Sequence, residues 1–472
     1  MRTLRWWDYI TVNIYWLGLN IASGSLTPYI YPILVVLVVG EESKNTALGG
    51  LRAASLAVAI LMQAAFGLLS DRSTLPWGRR RPFIVAGTLL DMVLLVLVGV
   101  AGLVWRDYWL LVAAVMLLQV SSNMAHGALQ GLIPDVIPEQ HRGKASGLKA
   151  AFELLPIILV GLTIAQYVKG NTWAAIFTVM GALFVGMLLT LPVREEPLRE
   201  KPSDPVGPPL IRTLLLTIIF VAVTALFGGL VGFVGKALEG TGTIQLVAVA
   251  VAGLVAMAGS IILGVYWSAR VGIGEGAREH PSYVWWVINR LLFLAAVGSV
   301  QGFAQYFLGD VLKLPDPAAA TGKLMLVVGI STLIAALSSG FLADRYGRRR
   351  LVALAGLVAA LGTFLLVVSP NMDMVLVSGC LIGVAAGAFM TSNWALGTDL
   401  VPPAECGRYL GVSNLAGAGA GIVGAGLGGP MADFFNKASP GLGYLVIFAL
   451  YGACFLLSAA TLVKVPEVRK AG

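Results

Sequence analysis

Long apolar segments separated by short polar loops cover almost the entire chain. Each segment is about 20 residues or longer, which is the length at which an α-helix crosses a bilayer. Six such segments lie in the first part of the chain, at about residues 9–37, 46–69, 83–104, 108–132, 145–168 and 172–192. Six more lie in the last part, at about residues 284–309, 321–343, 350–369, 373–397, 407–432 and 441–464. The pattern predicts an all-α polytopic membrane protein.

A polar, proline-rich stretch, PVREEPLREKPSDPVGPP, follows the sixth segment. It is too short for a domain and is typical of a linker between helices. Two further apolar segments follow it, at about 211–235 and 242–268, and the polar stretch ARVGIGEGAREHPS comes after them. We therefore predict fourteen spans in three parts. These are a six-helix bundle at 1–192, a linker with an inserted transmembrane hairpin at 193–283, and a second six-helix bundle at 284–472.

Composition and charge agree with this prediction. Of the 472 residues, 58% are hydrophobic and 12% are charged, and the mean hydropathy is +0.85. The net charge of +8 does not indicate a nucleic-acid partner, because the basic residues lie in short loops between spans. Lys and Arg show about a threefold excess on the loops of one side, which sets orientation in a membrane. We expect a plasma-membrane protein with both termini cytoplasmic and an even number of inserted spans.

Two loop signatures repeat along the chain. GLLSDRSTLPWGRRRPF at 67–83 matches GFLADRYGRRR at 340–350, and the aspartates that begin the two loops, Asp71 and Asp344, are 273 positions apart. A second motif follows each loop, PDVIPEQHRGKASG in the first half and TDLVPPAECGRYLG in the second. Measured on Pro138 and Pro402, its spacing is 264. Repetition at a near-constant offset predicts two halves that share one fold.

The charges of the two loops form a candidate cytoplasmic gate. An acidic residue at a helix end can pair with a nearby arginine or with the N-terminus of a neighbouring helix, and such pairs can break when a carrier changes state. The alternative is that the arginines only enforce topology. The predicted gate residues are Asp71, Arg72, Arg79 and Arg80 in the first loop and Asp344, Arg345, Arg348 and Arg349 in the second.

These loop motifs resemble those of the major facilitator superfamily, and more specifically those of the sucrose–proton symporters. The likeness rests on Ser70–Arg72, Gly78–Phe83 and the polar, aromatic first span NIYWLGLNIASGSLTPYIYP. The glycoside–pentoside–hexuronide cation symporters are a looser match, because their sodium-coupled members carry paired aspartates on the second helix and this chain has no carboxylate there. The resemblance implies the major facilitator fold, with two six-helix pseudo-repeats plus the inserted hairpin. It also implies alternating access and proton-coupled symport of a neutral sugar or glycoside.

Polar side chains inside the spans are candidates for the solute site. Gln119, Asn123, His126 and Gln130 form one stripe of the fourth span, and amides with aromatic rings suit a polyhydroxylated ligand. In the superfamily fold the first and fourth helices of each half line the central cavity. The alternative is that the amides join helix to helix. The predicted substrate-binding residues are Asn20, Asn123, His126, Gln130, Gln301, Gln305 and Trp394.

Two carboxylates lie near the middle of their spans, Asp91 in the third and Glu153 in the fifth. A carboxyl group in a low-dielectric environment can gain and lose a proton near neutral pH, as a proton-coupled carrier requires. Either residue is therefore a candidate proton-coupling group. The alternative is a permanent structural ion pair, between Asp91 and Arg52 or between Glu153 and His126 or Arg290.

The sequence shows no nucleophile with a base, no nucleotide-binding loop and no metal-ligand cluster. We therefore expect no enzyme activity, no catalytic residues, no bound metal and no cofactor, with the proton as coupling ion. The expected partners are a small solute, predicted to be a sugar, and the lipid bilayer, and the protein is predicted to be a monomer. The alternatives are a proton-driven drug or metabolite efflux antiporter, or a lipid-handling or sensor protein on the same fold.

Overall fold

The computed structural model describes residues 5–195, 207–274, 279–401 and 406–467. Within these ranges fourteen helices are long and apolar enough to cross a membrane, so the predicted number of spans is confirmed. The helices, numbered in chain order, are α1 Trp6–Val39, α2 Lys44–Asp71, α3 Arg81–Trp105, α4 Tyr108–Val136, α5 Glu139–Tyr167, α6 Thr172–Thr190, α7 Gly207–Ala237, α8 Thr243–Ile273, α9 Pro281–Asp310, α10 Pro317–Ala343, α11 Arg348–Val367, α12 Met372–Leu400, α13 Val412–Ala438 and α14 Leu442–Lys464.

Short polar residues fix where several helices begin. Asp107, Asn171, Asp316 and Asn371 each precede a helix, and each side chain accepts a hydrogen bond from a backbone N–H in the first turn at 2.7 to 3.1 Å. Such N-caps satisfy donors that a helix leaves free at its start. The central part of the predicted linker, 196–206, and residues 275–278 of the second polar stretch lie outside the described residues.

Two helices of the first half are irregular near the candidate site. In α1 the regular helix Trp6–Ser25 gives way to a wider turn at Leu26–Ile30, which contains a proline, before the helix resumes. In α5 a proline, Pro156, lies inside the helix, and the regular hydrogen bonding stops at Thr163. Prolines cause such irregularities because they lack the N–H that the helical ladder needs.

The chain forms two compact units. The first contains Met1–Gly40 and Val58–Thr213, and the second contains Glu41–Ala57 and Leu214–Gly472. The inserted helix α8 and the part of α7 from Leu214 onward therefore belong to the second unit, where α8 packs against α13. The two units reflect packing and do not test the predicted division of the chain into parts at 1–192, 193–283 and 284–472. That division stays a prediction.

The first part of α2 belongs to the second unit, whereas its last part belongs to the first. Glycines bring α2 close to α13 inside the second unit. A Cβ added to Gly49 would lie 2.3 Å from the carbonyl oxygen of Ala425, and one added to Gly429 would lie 2.2 Å from that of Asn45. Small residues of this kind let membrane helices approach backbone to backbone.

Candidate functional site

The first unit contains a polar cluster centred on His126. The Nε2 atom of His126 lies 3.2 Å from Nε2 of Gln63 and 3.4 Å from Nε2 of Gln130. The ring of Trp16 packs edge-on against the imidazole, with 5.2 Å between centroids. The cluster therefore joins α1, α2 and α4 and combines amide, imidazole and indole groups. Gln63 is a member that the sequence analysis missed, although an amide inside an apolar span was the signal for it.

A lysine and a glutamate extend this cluster along α5. The Nζ atom of Lys149 lies 4.1 Å from the ring centre of Trp16 and 3.4 Å from Oε1 of Glu153. Glu153 is therefore ion-paired one helical turn away on its own helix, and the side chain is 37% exposed. From the sequence, the alternative role predicted for Glu153 was an ion pair with His126 or Arg290. Lys149 was not among the predicted partners. The spacing of four residues between opposite charges could have revealed the pair.

Asp91 has a different environment on α3. It is fully buried, and the hydroxyl of Ser121 donates a hydrogen bond to its Oδ1, while Oδ2 has no hydrogen-bond partner among the described residues. The helices α3 and α4 come close because a Cβ on Gly87 would lie 2.6 Å from the carbonyl oxygen of Ser121. The hydroxyls of Tyr15 and Thr88 form a second hydrogen bond nearby, at 2.6 Å. Asp91 thus has a neutral donor and no cation among these contacts.

The predicted partner of Asp91, Arg52, has its contacts within the second unit. Its guanidinium donates to the carbonyl oxygen of Gly298 at 3.0 Å, and its other terminal nitrogen has no hydrogen-bond partner among the described residues. Gly302 makes room for this side chain, because a Cβ there would overlap the guanidinium. The structure therefore shows no support for Arg52 as a permanent counterion of Asp91.

Two predicted amides of the first half donate within their own helices. Nδ2 of Asn20 donates to the carbonyl oxygen of Trp16 at 2.8 Å. Nδ2 of Asn123 donates to the carbonyl oxygen and to the side-chain oxygen of Gln119, at 2.8 and 3.0 Å. Their substrate-binding role stays a prediction, and these bonds leave the side-chain oxygens as the groups that could accept a ligand hydrogen bond.

The second unit places a cation beside the predicted residue Trp394. The guanidinium of Arg290 lies 5.1 Å from the ring centre of Trp394 and 6.0 Å from that of Trp286, and it donates to Oδ1 of Asn393 at 3.4 Å. Arg290 is only 9% exposed, so its charge is buried among these side chains. Trp394 therefore has one face occupied by an arginine, which favours a polar or anionic group of a ligand beside it.

The glutamines predicted on α9 differ in exposure. Gln301 is half-buried, whereas Gln305 is 7% exposed and its Oε1 has no hydrogen-bond partner among the described residues. A buried amide oxygen without a partner is an acceptor that a ligand hydroxyl can satisfy. Both residues stay predictions for the substrate site.

The first arginine loop is held by an aspartate from the second repeated motif. Nε of Arg79 and Nε of Arg80 both donate to Oδ2 of Asp135, at 2.9 and 2.7 Å. Arg80 also donates to the hydroxyl of Ser70 at 2.7 Å and pairs with Asp71. The side chain of Arg80 is 5% exposed, so it is a buried cation with three partners. Asp135 was missed from sequence, although it lies in the motif whose repetition we had noted.

A glycine and a glutamate complete this loop. Gly78 has a φ of +107°, and a Cβ there would lie 2.6 Å from Cβ of Glu195. The Glu195 carboxylate accepts the backbone N–H groups of Arg80 and Arg81, at 2.6 and 3.0 Å. Burial raises the pKa of Glu195 above its usual range, against the hydrogen bonds that lower it. Glu195 therefore caps the N-terminus of α3.

The second loop repeats the same parts. Arg348 donates to Oδ2 of Asp399 at 2.6 Å, and Arg349 donates its backbone N–H to Glu467 at 3.3 Å. Gly347 has a φ of +97°, and a Cβ there would lie 2.7 Å from Oε1 of Glu467. Asp135 and Asp399 are 264 positions apart, which is the spacing of the second motif. That offset was the signal that could have identified both residues.

The sequence also predicted Asp344, Arg345 and Arg72 as gate residues. The side chain of Asp344 lies outside the described residues. Arg345 is exposed, with its guanidinium 5.5 Å from the ring centre of Tyr346. Arg72 is half-buried at the end of α2. Their gating role stays a prediction.

A further polar cluster at the start of α2 was missed from sequence. Nζ of Lys44 lies 2.6 Å from Oδ2 of Asp310, and the hydroxyl of Tyr444 donates to the same oxygen at 2.6 Å. The carboxylate of Asp433 accepts the backbone N–H of Thr46 at 2.7 Å and Nδ2 of Asn45 at 2.8 Å. The start of α2 is thereby attached to α9, α13 and α14 inside the second unit.

Comparison with known families identifies the class of this protein. The family model of the Major Facilitator Superfamily matches residues 14–315 and 287–472, which is nearly the whole chain. The chain therefore belongs to the Major Facilitator Superfamily. This membership confirms the resemblance drawn from the loop motifs.

Curated relatives match over part of their length. The minor myo-inositol transporter IolF of Bacillus subtilis is 33% identical over 112 residues, which cover 24% of this chain and 26% of IolF. The multi-drug resistance efflux pump PmrA of Streptococcus pneumoniae is 31% identical over 137 residues, covering 28% and 32%. The sucrose transport protein SUC4 of Arabidopsis thaliana is 30% identical over 133 residues, covering 25% of each chain. The alignments thus span no more than a third of the curated relatives that the chain matches.

Solved structures match over the full length. The nucleoside transporter NupG has a TM-score of 0.68 at 13% identity and covers 97% of this chain and 99% of its own. The D-xylose-proton symporter has a TM-score of 0.66 at 17% identity and covers 97% of each chain. At such identity the likeness shows the fold alone, and it confirms the predicted fold class.

Proposed function

We propose that this protein is a secondary carrier of the plasma membrane that moves a neutral sugar or glycoside by alternating access, in symport with protons. The observation that carries this proposal is the cluster of Trp16, Gln63, His126 and Gln130, which offers donors, acceptors and an aromatic face inside membrane-length helices. Hydroxyl groups of a sugar pair with amides and imidazole, while an indole packs on the apolar face of the ring. IolF and SUC4 are named as transporters of myo-inositol and of sucrose, which supports the same chemistry.

Asp91 is the better-supported proton carrier of the two predicted carboxylates. Its Oδ1 accepts a hydrogen bond from a neutral hydroxyl, and its Oδ2 has no hydrogen-bond partner among the described residues. Asp91 can therefore take up a proton without leaving a cation unpaired. Glu153 is neutralised by Lys149, and its protonation would leave a lysine without its partner. We assign Glu153 and Lys149 to the solute site beside Trp16.

During transport some contacts must persist and others must break. The arginine loops and the polar cluster at the start of α2 provide these contacts. Asp135 and Asp399 fix the arginine loops to α4 and α12, so each loop moves with its own bundle. We propose that the contacts of Lys44 and Asn45 with Asp310 and Asp433 open in one of the two transport states. Both termini lie in the cytoplasm in this proposal, and the carrier acts as a monomer.

Uptake into proteoliposomes tests the function. The purified carrier is reconstituted with an acidic exterior, and uptake of labelled myo-inositol, sucrose, xylose and uridine is followed together with the lumenal pH. We expect uptake of at least one polyol with acidification of the lumen. His126→Ala should lower uptake by about tenfold through the lost hydrogen bonds. His141→Ala, an exposed histidine outside the cluster, is the matched control. If no solute enters faster than into empty vesicles, the carrier proposal fails.

Efflux of a drug or metabolite is the second candidate, supported by the partial likeness to PmrA. It predicts the opposite coupling, in which solute leaves against proton entry. Inside-out vesicles with an acidic lumen, incubated with external ethidium, distinguish the two. Accumulation of ethidium in the lumen that is lost in Asp91→Asn, without polyol uptake, would replace the symport proposal.

The proposed orientation has its own test. Single cysteines at Ser73 in the first loop and at Thr241 in the hairpin of α7 and α8 are labelled with a membrane-impermeant maleimide. We expect Thr241→Cys to react in intact cells and Ser73→Cys only after lysis. The reverse pattern would invert the topology.

A further inference from the structure

An apolar cleft of about 480 Å³ lies in the second unit between the inserted hairpin and α13. Helix α7 lines it with glycines and α13 with large apolar side chains. The residues that shape it are Gly228, Gly232, Gly235, Leu427, Met431 and Phe434. Its size falls within the range of about 300 to 1,000 Å³ that is usual for ligand sites.

The glycines of α7 keep this cleft open. A Cβ on Gly228 would come 3.4 Å from Leu427, and one on Gly235 would come 3.5 Å from Phe434, whereas one on Gly232 would meet nothing within 4 Å. Gly232 therefore faces free space along the cleft. An apolar space of this width beside membrane helices is suited to a hydrocarbon chain rather than to water, because it offers water few polar partners.

The cleft has polar groups at only one end, where α7 turns into α8. Lys236 and Glu239 line it there, and both are exposed and without an ion-pair partner among the described residues. Gln245 closes the corner by donating Nε2 to the carbonyl oxygen of Gly235 at 2.6 Å. One positive and one negative side chain at the end of an apolar cleft complement a head group that carries both charges.

We propose that this cleft is a binding site for one phospholipid with a phosphoethanolamine head group. An acyl chain lies along the glycines of α7, the phosphate pairs with Lys236, and the ammonium donates hydrogen bonds to Glu239. A choline head group has no N–H to donate, and an anionic head group would meet the charge of Glu239 without a compensating cation. The lipid joins the inserted hairpin to α13 and gives the hairpin a role in the carrier.

Native mass spectrometry of the purified full-length protein tests this site. The protein is delipidated and titrated with palmitoyl-oleoyl phosphatidylethanolamine, phosphatidylcholine and phosphatidylglycerol. We expect one tightly retained phosphatidylethanolamine. Gly232→Leu, which fills the cleft, should weaken its binding by about tenfold because the acyl chain loses its place. Gly229→Leu is the matched control, since Gly229 is equally exposed on the same helix, has open space around it and does not line the cleft.

The head-group assignment has a separate readout. Glu239→Gln should lower binding of phosphatidylethanolamine by about fivefold relative to phosphatidylcholine, and Lys236→Gln should lower both by a similar factor. Thermal unfolding of each variant confirms that the protein is folded.

Equal binding of the three lipids to the native protein, or equal loss in both glycine variants, would overturn the proposal. A dimer that disappears with Gly232→Leu would show instead that the cleft receives a second copy. No outcome depends on transport.

Discussion

The two arginine loops are built from the same parts, but their arginines are buried to different extents. In the first loop two arginines share Asp135, Arg80 also contacts Asp71 and Ser70, and its side chain is 5% exposed. In the second loop Arg348 contacts Asp399 and a backbone carbonyl, and its side chain is 31% exposed. A repeated motif thus fixes the type of contact, whereas the burial of the arginine differs between its two copies.

Among the candidate site residues, the two units bury groups of opposite charge. The first unit buries the carboxyl group of Asp91 with a serine, whereas the second buries the guanidinium of Arg290 near two tryptophans. The predictions that follow test the role of Asp91 and the difference between the loops.

The largest effect is expected from removing the aspartate of the first loop. Asp135→Asn leaves the buried Arg80 with fewer charged partners and should cost about 3 kcal/mol of unfolding free energy, with loss of transport. Asp399→Asn, the matched change in the second loop, should cost about 1 kcal/mol, since its arginine is partly exposed. Thermal unfolding in detergent measures both. Equal losses would show that the deeper burial of Arg80 makes no difference to stability.

The second prediction separates the two carboxylates. Asp91→Asn should abolish accumulation driven by a pH gradient while leaving exchange of solute across the membrane within about threefold of the native rate, because exchange needs only a neutral site. Glu153→Gln should lower both, since Lys149 loses its partner beside Trp16. Counterflow and gradient-driven uptake in the same vesicles give the two readouts. An Asp91→Asn carrier that still accumulates solute would exclude this residue as the coupling group.

The third prediction concerns the feature that the loops share. Gly78→Ala and Gly347→Ala place a Cβ at positive φ and against a glutamate, so each should destabilise the protein by about 2 kcal/mol. Gly340→Ala on α10 meets nothing within 4 Å and should be neutral or stabilising. Unfolding midpoints of the three variants suffice. A neutral Gly347→Ala would mean that only the first loop needs this geometry.

The smallest effect is a pH dependence at Glu195. Because burial raises its pKa in the folded protein, the folded state holds this proton more tightly than the unfolded state does. The stability from this group is complete below the unfolded pKa and is lost as the pH rises through the folded pKa. Glu195→Gln should remove that decline, which begins above the usual glutamate pKa of about 4. Glu467→Gln in the second loop is the comparison, and an unchanged pH profile in Glu195→Gln would contradict the assignment.

The sequence by itself determined the fold class and the number of spans. Apolar segments of membrane length must be helices, because only a helix satisfies its own backbone in lipid, and the repeated loops identified two related halves. It also singled out His126, Gln130 and Asp91 as candidates, since polar groups in apolar spans stand out without any alignment, and it singled out the loop arginines through the repeated motif.

Only the tertiary structure decided which groups meet. The partners Asp135, Glu195 and Gln63 come from other helices or lie far along the chain, and a helical period does not say which neighbour a face will touch. Asp91 and Glu153 look alike at their depth in the sequence; the lysine beside Glu153 can be read from the spacing on one helix, but the serine beside Asp91 cannot. Close approach at Gly87 brings Ser121 to Asp91, and that approach depends on packing between two helices rather than on either sequence segment alone.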